Sequence, residues 1–575
     1  MQRILPILTW LATYKKAYFL KDLIAGLTVG IVLVPQGMAY AMIAGLPPVY
    51  GLYASLFPVI TYAFLGTSRK IAVGPVAMDS LLVAAGLGTL SISGVENYVA
   101  MVVVLALMVG AIQFLLGLFR MGFLVNFLSK PVISGFTSAA AVIIILSQLK
   151  HLLGAEISGS SRFHNLLQNA IQKFGDINPY DLGIGLLGIL LILVFKKWNK
   201  NIPIVLIVVL LGTVGVYLFD LKIYGVELVG EVPQGLPSFG LPDVKLEYVQ
   251  KLWPIALALA LVGYLEAISI GKSLEEKSGE ETIVANQELI AIGTSNMIGS
   301  LFQAYPVTAS FSRSAINYET GAKTLVSSFF SVVLVVITLL FLTPVFQYLP
   351  NAILASIIMV SVFSLIDLKY AKTLWKNSRD EFLVLCITFL STLFISITIG
   401  ILIGVLGSLL LMVYRTSNPH FAELGKIKNS DYYKNVKRFG DEIQVRPDLL
   451  IVRFDAQLYF GNATYFKKEL LRHIALKGPQ LKAVILNAEA INYIDATAAD
   501  MLTKLINEIH VAGLQFYIAG AIGPTRDIIF SSGIIHELHK EYLFVKTKEA
   551  VTFFDDPNAF SIVGSRVAYE NSKRK

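Results

Sequence analysis

The sequence has 575 residues, of which 55% are hydrophobic and 15% are charged, with a formal net charge of +8 and a single cysteine, Cys386. This composition excludes a soluble globular protein for most of the chain, and one cysteine excludes an internal disulfide or a cysteine-based metal site. Basic loops of a membrane protein account for the positive charge better than nucleic-acid binding does.

Apolar runs of membrane length begin near residue 22, and no signal-peptide cleavage pattern precedes the first, so we expect that span to be retained. Lys and Arg concentrate in the even-numbered connections, which predicts that both termini are cytoplasmic. With two short segments that begin at Pro-Val pairs, about fourteen helices are predicted, near residues 22–43, 48–66, 76–90, 99–118, 124–150, 181–197, 203–220, 252–271, 285–303, 307–320, 324–343, 347–366, 380–395 and 397–414.

The two short segments, at Pro75-Val76 and Pro306-Val307, hold matching positions in the two halves of this membrane domain. Gln36 precedes Pro75 by 39 positions, and Glu266 precedes Pro306 by 40. Interrupted helices at matching positions indicate the substrate site of a transporter. Because each half has seven spans, an odd number, we predict an all-α domain built as a 7+7 inverted repeat, over residues 1–415.

The residues after Pro306 predict an anion site. A helix that begins near Val307 has unpaired N–H groups and a positive dipole end at its start. Ser310 and Arg313 share one helix face, whereas Ser312 is expected off that face, closer to neighbouring helices. A cation inside a membrane helix faces a cavity or a partner, so the alternative is that Arg313 pairs with a carboxylate for structure alone.

Polar residues in the two preceding spans complete the predicted site. Gln36 and Tyr40, four residues apart, can donate hydrogen bonds, although simple packing between helices also explains Tyr40. Glu266 is the only acidic or basic side chain between residues 252 and 270. Burial disfavours its charged form and a nearby arginine favours it, which is what proton coupling requires. The alternatives are a permanent ion pair with Arg313 and sodium coupling through Glu266 and neighbouring carbonyls.

The last part of the chain is predicted to be a cytoplasmic α/β domain. We assign residues 416–439 to a linker, 440–560 to the domain and 561–575 to a tail. Asp495 and Thr497 occupy positions typical of helix caps. Thr497 is also a possible phosphosite, because phosphate is favoured at a helix N-terminus. Strands are expected at 449–454, 481–486 and 514–519, and an amphipathic helix at 497–510 with Leu502, Leu505, Ile506 and Ile509 on one face.

At these residues the chain resembles the SulP family of anion transporters, relatives of animal and plant sulfate carriers. The last domain resembles a STAS domain, and Asp495-Ala496-Thr497 is similar to the loop that is phosphorylated in bacterial anti-sigma antagonists. The motifs that carry the family resemblance are residues 34–41 (VPQGMAYA), 48–54 (PVYGLYA), 66–69 (GTSR), 73–77 (VGPVA), 310–317 (SFSRSAIN) and 321–324 (GAKT).

The resemblance implies core and gate subdomains, elevator-like alternating access, a STAS domain that supports a homodimer, and a coupling proton on Glu266. It implies an anion site made by Gln36, Tyr40, Val76, Ala77, Ala309, Ser310, Phe311, Ser312 and Arg313. No enzyme activity, metal, organic cofactor or nucleic acid is expected.

These features predict proton-coupled sulfate uptake across a bacterial inner membrane. The expected partners are a small inorganic or organic anion, the lipid bilayer and a second copy of the chain. Sodium-coupled bicarbonate or dicarboxylate transport, anion exchange, and an anion sensor that signals through STAS remain alternatives.

Overall fold

The structure is a computed structural model that describes residues 5–90, 92, 94–123, 129–155, 163–173, 175–198, 204–279, 283–363 and 365–557. It divides into two units, Met1–Ser408 and Leu409–Lys575. The predicted tail, 561–575, lies outside the described residues.

Helices with apolar surfaces make up the first unit. Leu186, Leu190 and Leu193 are each more than half exposed, and such a surface fits the hydrocarbon core of a bilayer. The first helices are α1 (Ile7–Leu11), α2 (Lys16–Ile43), α3 (Val49–Tyr53), α4 (Phe57–Leu65), α5 (Ala77–Leu87), α6 (Val95–Leu118), α7 (Lys130–Leu153), α8 (Phe163–Gln172), α9 (Pro179–Trp198) and α10 (Ile204–Phe219). They continue with α11 (Leu246–Ser278), α12 (Ala285–Ser300), α13 (Phe311–Glu319), α14 (Val326–Ile337), α15 (Thr343–Phe346), α16 (Asn351–Phe363), α17 (Leu368–Asn377), α18 (Arg379–Phe394) and α19 (Ile397–Ser417). The boundary between the two units falls within α19, after Ser408.

Several of these helices have the length and hydropathy needed to cross a membrane. Within the described part of the chain, seven helical segments meet both criteria: Lys16–Ile43, Val95–Leu118, Lys130–Leu153, Leu246–Glu275, Val326–Phe346, Asn351–Asn377 and Ile399–Ser417. Shorter apolar helical segments occur at Val49–Leu65, Ala77–Leu87, Pro179–Phe195 and Ile204–Phe219. The polytopic membrane fold is confirmed, whereas the count of fourteen helices stays a prediction.

Two short strands interrupt the helices of this unit. β1 (Val73–Gly74) and β2 (Thr308–Ala309) pair in an antiparallel way, and this short ladder was not predicted within the otherwise helical membrane domain. A proline disfavours helix in the residue before it, which helps to keep β1 extended ahead of Pro75. Because β2 is extended as well, the second short helix begins at Phe311 rather than near Val307.

A buried carboxylate fastens the loop after α4 to the start of α12. Glu288 is fully buried. Its Oε1 accepts hydrogen bonds from Thr67 N (2.7 Å), Thr67 Oγ1 (2.5 Å) and Ser68 N (3.3 Å), and its Oε2 accepts one from Tyr62 Oη (3.0 Å). Four donors make this burial tolerable for a carboxylate. We call Glu288 with Tyr62, Thr67 and Ser68 the glutamate clip.

The second unit is an α/β domain around one sheet, in the order β4-β3-β6-β7-β8-β9, with β5 also paired to β3. β6 to β9 run parallel, and β3 is antiparallel to β6. The strands are β3 (Phe421–Ile427), β4 (Tyr433–Asn435), β5 (Ile443–Gln444), β6 (Leu449–Phe454), β7 (Ala483–Asn487), β8 (Gln515–Ala519) and β9 (Leu543–Phe544). The helices are α20 (Val436–Phe439), α21 (Ala463–Lys477), α22 (Ala496–Val511), α23 (Gly523–Ser531), α24 (Ile534–Leu538) and α25 (Thr547–Asp555).

The predicted elements of this unit agree with β6, β7, α22 and β8 to within two residues. The predicted face of α22 is also correct, since Leu502, Leu505, Ile506 and Ile509 are all buried. The expected linker at 416–439 is different, because it contains β3 and β4 of the sheet. In β3, buried Ala422 and Leu424 alternate with more exposed residues, so the average composition of this half-buried strand looks polar.

Candidate functional site

The two Pro-Val segments meet where β1 and β2 pair. Val73 lies opposite Ala309 in this antiparallel ladder. Continued by two residues, the register places Pro75-Val76 opposite Pro306-Val307. An antiparallel pair has a local twofold axis between its strands, so this register relates one Pro-Val segment to the other as an inverted repeat requires.

A helix begins directly after each of these segments. α5 begins at Ala77, and α13 begins at Phe311 with Ser310 as its N-cap. The Oγ of Ser310 accepts a hydrogen bond from Arg313 N at 3.4 Å. The backbone N of Ser310 donates to Ala72 O at 2.9 Å, which ties this cap to the residue before β1. Two helix N-termini, each carrying a partial positive charge, thus start beside one ladder.

A cavity of about 790 Å³ opens beside the two helix starts. This volume is typical of a small-molecule site. Aliphatic and aromatic side chains form most of its wall, and the polar or charged residues on it are Thr28, Gln36, Tyr40, Glu266, Ser310, Ser312, Glu319, Thr320 and Ser361. In the described part of the chain, no group of three or more His, Cys, Asp or Glu residues is placed to hold a metal ion.

The cavity wall brings together nine of the ten residues predicted for this site: Gln36, Tyr40, Val76, Ala77, Glu266, Ala309, Ser310, Phe311 and Ser312. Ser312 differs from its expected position, because it faces this cavity and its Oγ lies 3.4 Å from Ser310 Oγ. The reason is that Ser310 is the N-cap and has an extended backbone. Helical spacing therefore does not fix the direction of its side chain relative to those of Ser312 and Arg313.

Arg313 is the exception, because it lies behind the wall. Its side chain is fully buried. Nη2 donates to Pro75 O at 2.8 Å, and Nη1 donates to Gln36 Oε1 at 3.5 Å. Gly74 has a φ of +144°, and a Cβ there would lie 3.3 Å from Nη2, so glycine leaves room for the guanidinium group. Among the described residues no carboxylate pairs with Arg313, and its positive charge therefore acts on the cavity from behind Gln36.

Glu266 lies on the wall and is partly buried. Its Oε2 is shielded from solvent and has no hydrogen-bond partner among the residues that the structure describes. Within the described part of the chain, Glu266 and Arg313 do not form the ion pair that the sequence offered as an alternative. A shielded carboxylate oxygen without a donor is costly when charged, so this position favours a carboxyl group that takes up a proton.

A polar network that was missed in the sequence holds the second Pro-Val segment in place. Asn296 accepts a hydrogen bond from Val307 N at 2.8 Å and donates to Val307 O at 3.0 Å. Its amide also donates to Gln113 Oε1 at 3.1 Å, and Thr308 Oγ1 donates to Gly263 O at 2.7 Å. The available signal was Gln113, the single amide side chain within residues 99–118, whereas Asn296 shares the span 285–303 with Asn286, Gln287 and Gln303.

Thr497 belongs to the second unit and lies in the first turn of α22, where it is exposed. The helix is capped by Asp495 instead. Its Oδ1 accepts from Ala498 N at 2.8 Å, and its Oδ2 accepts from Phe460 N at 2.9 Å. Of the two predicted cap residues, Asp495 is therefore confirmed and Thr497 is not the cap, and the Thr497 hydroxyl stays accessible.

Comparison with known proteins identifies the family of this chain. The profile of the sulfate permease family matches residues 19–388, and that of the STAS domain matches residues 442–550. The chain belongs to the sulfate permease family. This assignment confirms the resemblance found in the sequence and makes the chain a membrane anion transporter rather than an enzyme.

Relatives in this family match over nearly the whole chain. The probable sulfate transporter 4.2 of Arabidopsis thaliana is 39% identical over 569 residues, covering 95% of this chain and 83% of its own length. High affinity sulfate transporter 2 of Stylosanthes hamata is 33% identical over 587 residues, covering 97% and 87%. The structure is similar to that of the murine Solute Carrier 26 family member A9 anion transporter in the inward-facing state. That match has a TM-score of 0.88 and 28% identity, and covers 96% of this chain and 94% of the other.

Proposed function

We propose that this chain is a proton-coupled sulfate transporter of a bacterial inner membrane. One observation carries the proposal: a single cavity is bordered by two helix N-termini, by the hydroxyl groups of Ser310 and Ser312, and by Glu266, whose Oε2 has no partner among the described residues. The first two features suit an anion, and the third suits a proton. The relatives named sulfate transporters support sulfate as the anion.

Anion binding is assigned to neutral donors in front of a fixed positive charge. Ser310 and Ser312 lie side by side at the start of α13 and can both donate to one anion. Because Gln36 Oε1 accepts from Arg313, the NH₂ group of the same amide is left to donate toward the cavity. Arg313 and the two helix dipoles supply the positive potential without placing a full charge at the anion itself.

Proton binding is assigned to Glu266. When its carboxyl is ionised, a negative charge faces the same cavity and repels an anion. When the carboxyl is protonated, that repulsion disappears and the positive potential of Arg313 dominates. Anion and proton therefore bind better together than separately, which is the thermodynamic basis of symport.

The transport cycle and the membrane placement belong to the same proposal. Both termini are assigned to the cytoplasm, since Lys and Arg concentrate in the connections that would then face it. Two copies are proposed to assemble as a homodimer supported by the STAS domain. The core and gate helices are proposed to exchange access by an elevator movement, as the family resemblance implies.

Uptake of labelled sulfate into liposomes that contain the purified chain tests this function. We expect an inward pH gradient to drive accumulation of sulfate, with no requirement for sodium. Accumulation that requires sodium and does not depend on pH would show that sodium, and not a proton, is the coupling ion. Exchange without net uptake would indicate an antiporter. No flux of any anion would leave only the sensor alternative.

A further inference from the structure

Asp79 is a second buried carboxyl group beside the cavity, and the function proposed above does not use it. It lies in the first turn of α5, next to the wall residues Ala77 and Met78, and is only 2% exposed. Its Oδ1 is shielded from solvent and has no hydrogen-bond partner among the described residues. In the glutamate clip, the buried carboxyl group of Glu288 accepts four hydrogen bonds, whereas Asp79 has a shielded oxygen with none.

Helix geometry turns Asp79 toward Glu266. Gly86 of α5 packs tightly on Ile255 of α11, since a methyl group at Gly86 would lie 2.7 Å from Ile255 Cγ2. Asp79 precedes Gly86 by two turns and therefore shares its face of α5. Glu266 follows Ile255 by three turns and shares its face of α11. The two carboxyl groups accordingly lie on the facing sides of two packed helices.

The direction of the helices brings the two carboxyl groups to a similar level. α5 and α11 are antiparallel here, because Gly86 meets Ile255 while the start of α5 reaches the cavity together with Glu266. From the contact between Gly86 and Ile255, Asp79 lies about 10 Å along the axis of α5 and Glu266 lies about 16 Å along the axis of α11. Side chains lean toward the N-terminus of their own helix, so these two lean toward each other. Consistent with this, the two carboxyl groups interact electrostatically.

Glu319, at the last residue of α13, is a further carboxyl group on the cavity wall, and it is exposed to solvent. The other ionisable groups near the pair are few. Tyr40 of α2, Tyr305 ahead of β2, and Arg313 of α13 interact electrostatically with one another, and Tyr305 also interacts with Asp79. The hydroxyl of Tyr305 lies 3.2 Å from Ser80 Oγ. α6 and α7 also pack on α5, and they carry ionisable side chains only in their end turns.

The charges of this group set how many protons accompany an anion. Arg313 with two ionised carboxylates gives one net negative charge, which opposes anion entry. Two protons on the pair change this to one net positive charge. A dianion such as sulfate therefore favours the doubly protonated pair, because each remaining carboxylate would lie near two further negative charges in a site of low dielectric.

We propose that Asp79 is a second proton-binding carboxyl paired with Glu266, and that each sulfate dianion moves with two protons, one on each residue. This inference rests on the proposed proton-coupled sulfate transport. Two protons enter the carboxylates from the side to which the cavity opens, and both leave with the sulfate on the other side. The complete cycle moves no net charge.

The accumulation limit of sulfate in liposomes tests this stoichiometry. With the membrane potential clamped at zero by potassium and valinomycin, two protons support a ratio of about 100-fold for each unit of pH gradient, and one proton supports about tenfold. We expect about 100-fold for the wild type, independent of an imposed potential. For Asp79→Asn we expect about tenfold, reduced further by an inside-negative potential. Asp243→Asn, at an exposed aspartate that pairs with Lys245, is the matched control and keeps the wild-type limit.

The possible outcomes separate this proposal from the function on which it rests. An Asp79→Asn variant that keeps the wild-type limit and ignores the potential overturns the role of Asp79. If that variant does not fold, the wild-type protein alone still tests the stoichiometry. A wild-type accumulation limit of about tenfold per unit of pH gradient would exclude the second proton. A wild type that shows no accumulation driven by pH overturns the proposed function as well.

Discussion

Glu288 and Glu266 are two glutamates of the same membrane domain, and they differ in the hydrogen bonds that their shielded oxygens accept. In the glutamate clip, Glu288 accepts four hydrogen bonds from Tyr62, Thr67 and Ser68. On the cavity wall, Glu266 keeps an oxygen that is shielded from solvent and has no donor among the described residues. The difference separates a carboxyl group that links two segments of the fold from one to which we assign a coupling proton.

The comparison also explains why burial alone does not identify a functional acid. A charged carboxylate that is removed from water needs donors to offset its lost hydration. Glu288 obtains these donors from α4 and the loop after it, which are close to it only after folding. Where the fold withholds them and a cavity adjoins, as at Glu266, protonation is the remaining way to lower the cost.

Removal of the carboxylate from the glutamate clip should give the largest loss of stability. Glu288→Ala leaves the donors of Thr67, Ser68 and Tyr62 without their shared acceptor, and we expect a loss of about 3–4 kcal/mol. Thermal unfolding of the detergent-purified protein, followed by tryptophan fluorescence, measures this effect. Glu247→Ala, at an exposed glutamate paired with Lys251, is the control and should leave the midpoint unchanged. A Glu288→Ala protein as stable as this control would contradict the stabilising role assigned to Glu288 in the glutamate clip.

Removal of the buried cation should affect binding more than folding. Arg313→Ala deletes the positive charge behind the cavity, and we expect sulfate affinity to fall by about 10- to 100-fold, as for a lost interaction with a charged group. Isothermal titration of the purified protein with sulfate measures the affinity, and size-exclusion chromatography confirms folding. Arg313→Lys keeps the charge but reaches fewer acceptors, so an intermediate affinity is expected. Unchanged affinity in Arg313→Ala would show that this arginine is structural.

Sequence patterns were enough to find the paired Pro-Val segments, because proline and an isolated polar residue in an apolar span are local signals. They were not enough to find the β1–β2 ladder, since a two-residue strand is stabilised by a partner more than 200 residues away. The same reason explains why the side chains of Ser312 and Arg313 point in directions other than those expected. Their directions depend on where α13 begins, and that start is set by the ladder. The linker was misassigned because β3 is half-buried and its average composition is polar.

The helix cap of Asp495 extends the comparison to an acid at the protein surface. Its oxygens accept from Ala498 N and Phe460 N, so it is satisfied like Glu288, but water can replace part of these bonds. We expect Asp495→Ala to cost about 1 kcal/mol. Faster hydrogen exchange at the start of α22 in the full chain would report this loss. Thr497→Ala is the control and should leave exchange unchanged, and an equal effect of both would mean that Thr497 shares the capping role.

The most direct test of the account compares two kinds of sulfate flux in liposomes that contain Glu266→Gln. Glutamine keeps the size of the side chain but cannot carry a proton. We predict that accumulation driven by a pH gradient is lost, while exchange of internal for external sulfate continues, because the anion donors remain in place. Glu247→Gln, on the same helix, should retain both fluxes. Accumulation by Glu266→Gln at the wild-type level would contradict the assignment of a coupling proton to Glu266.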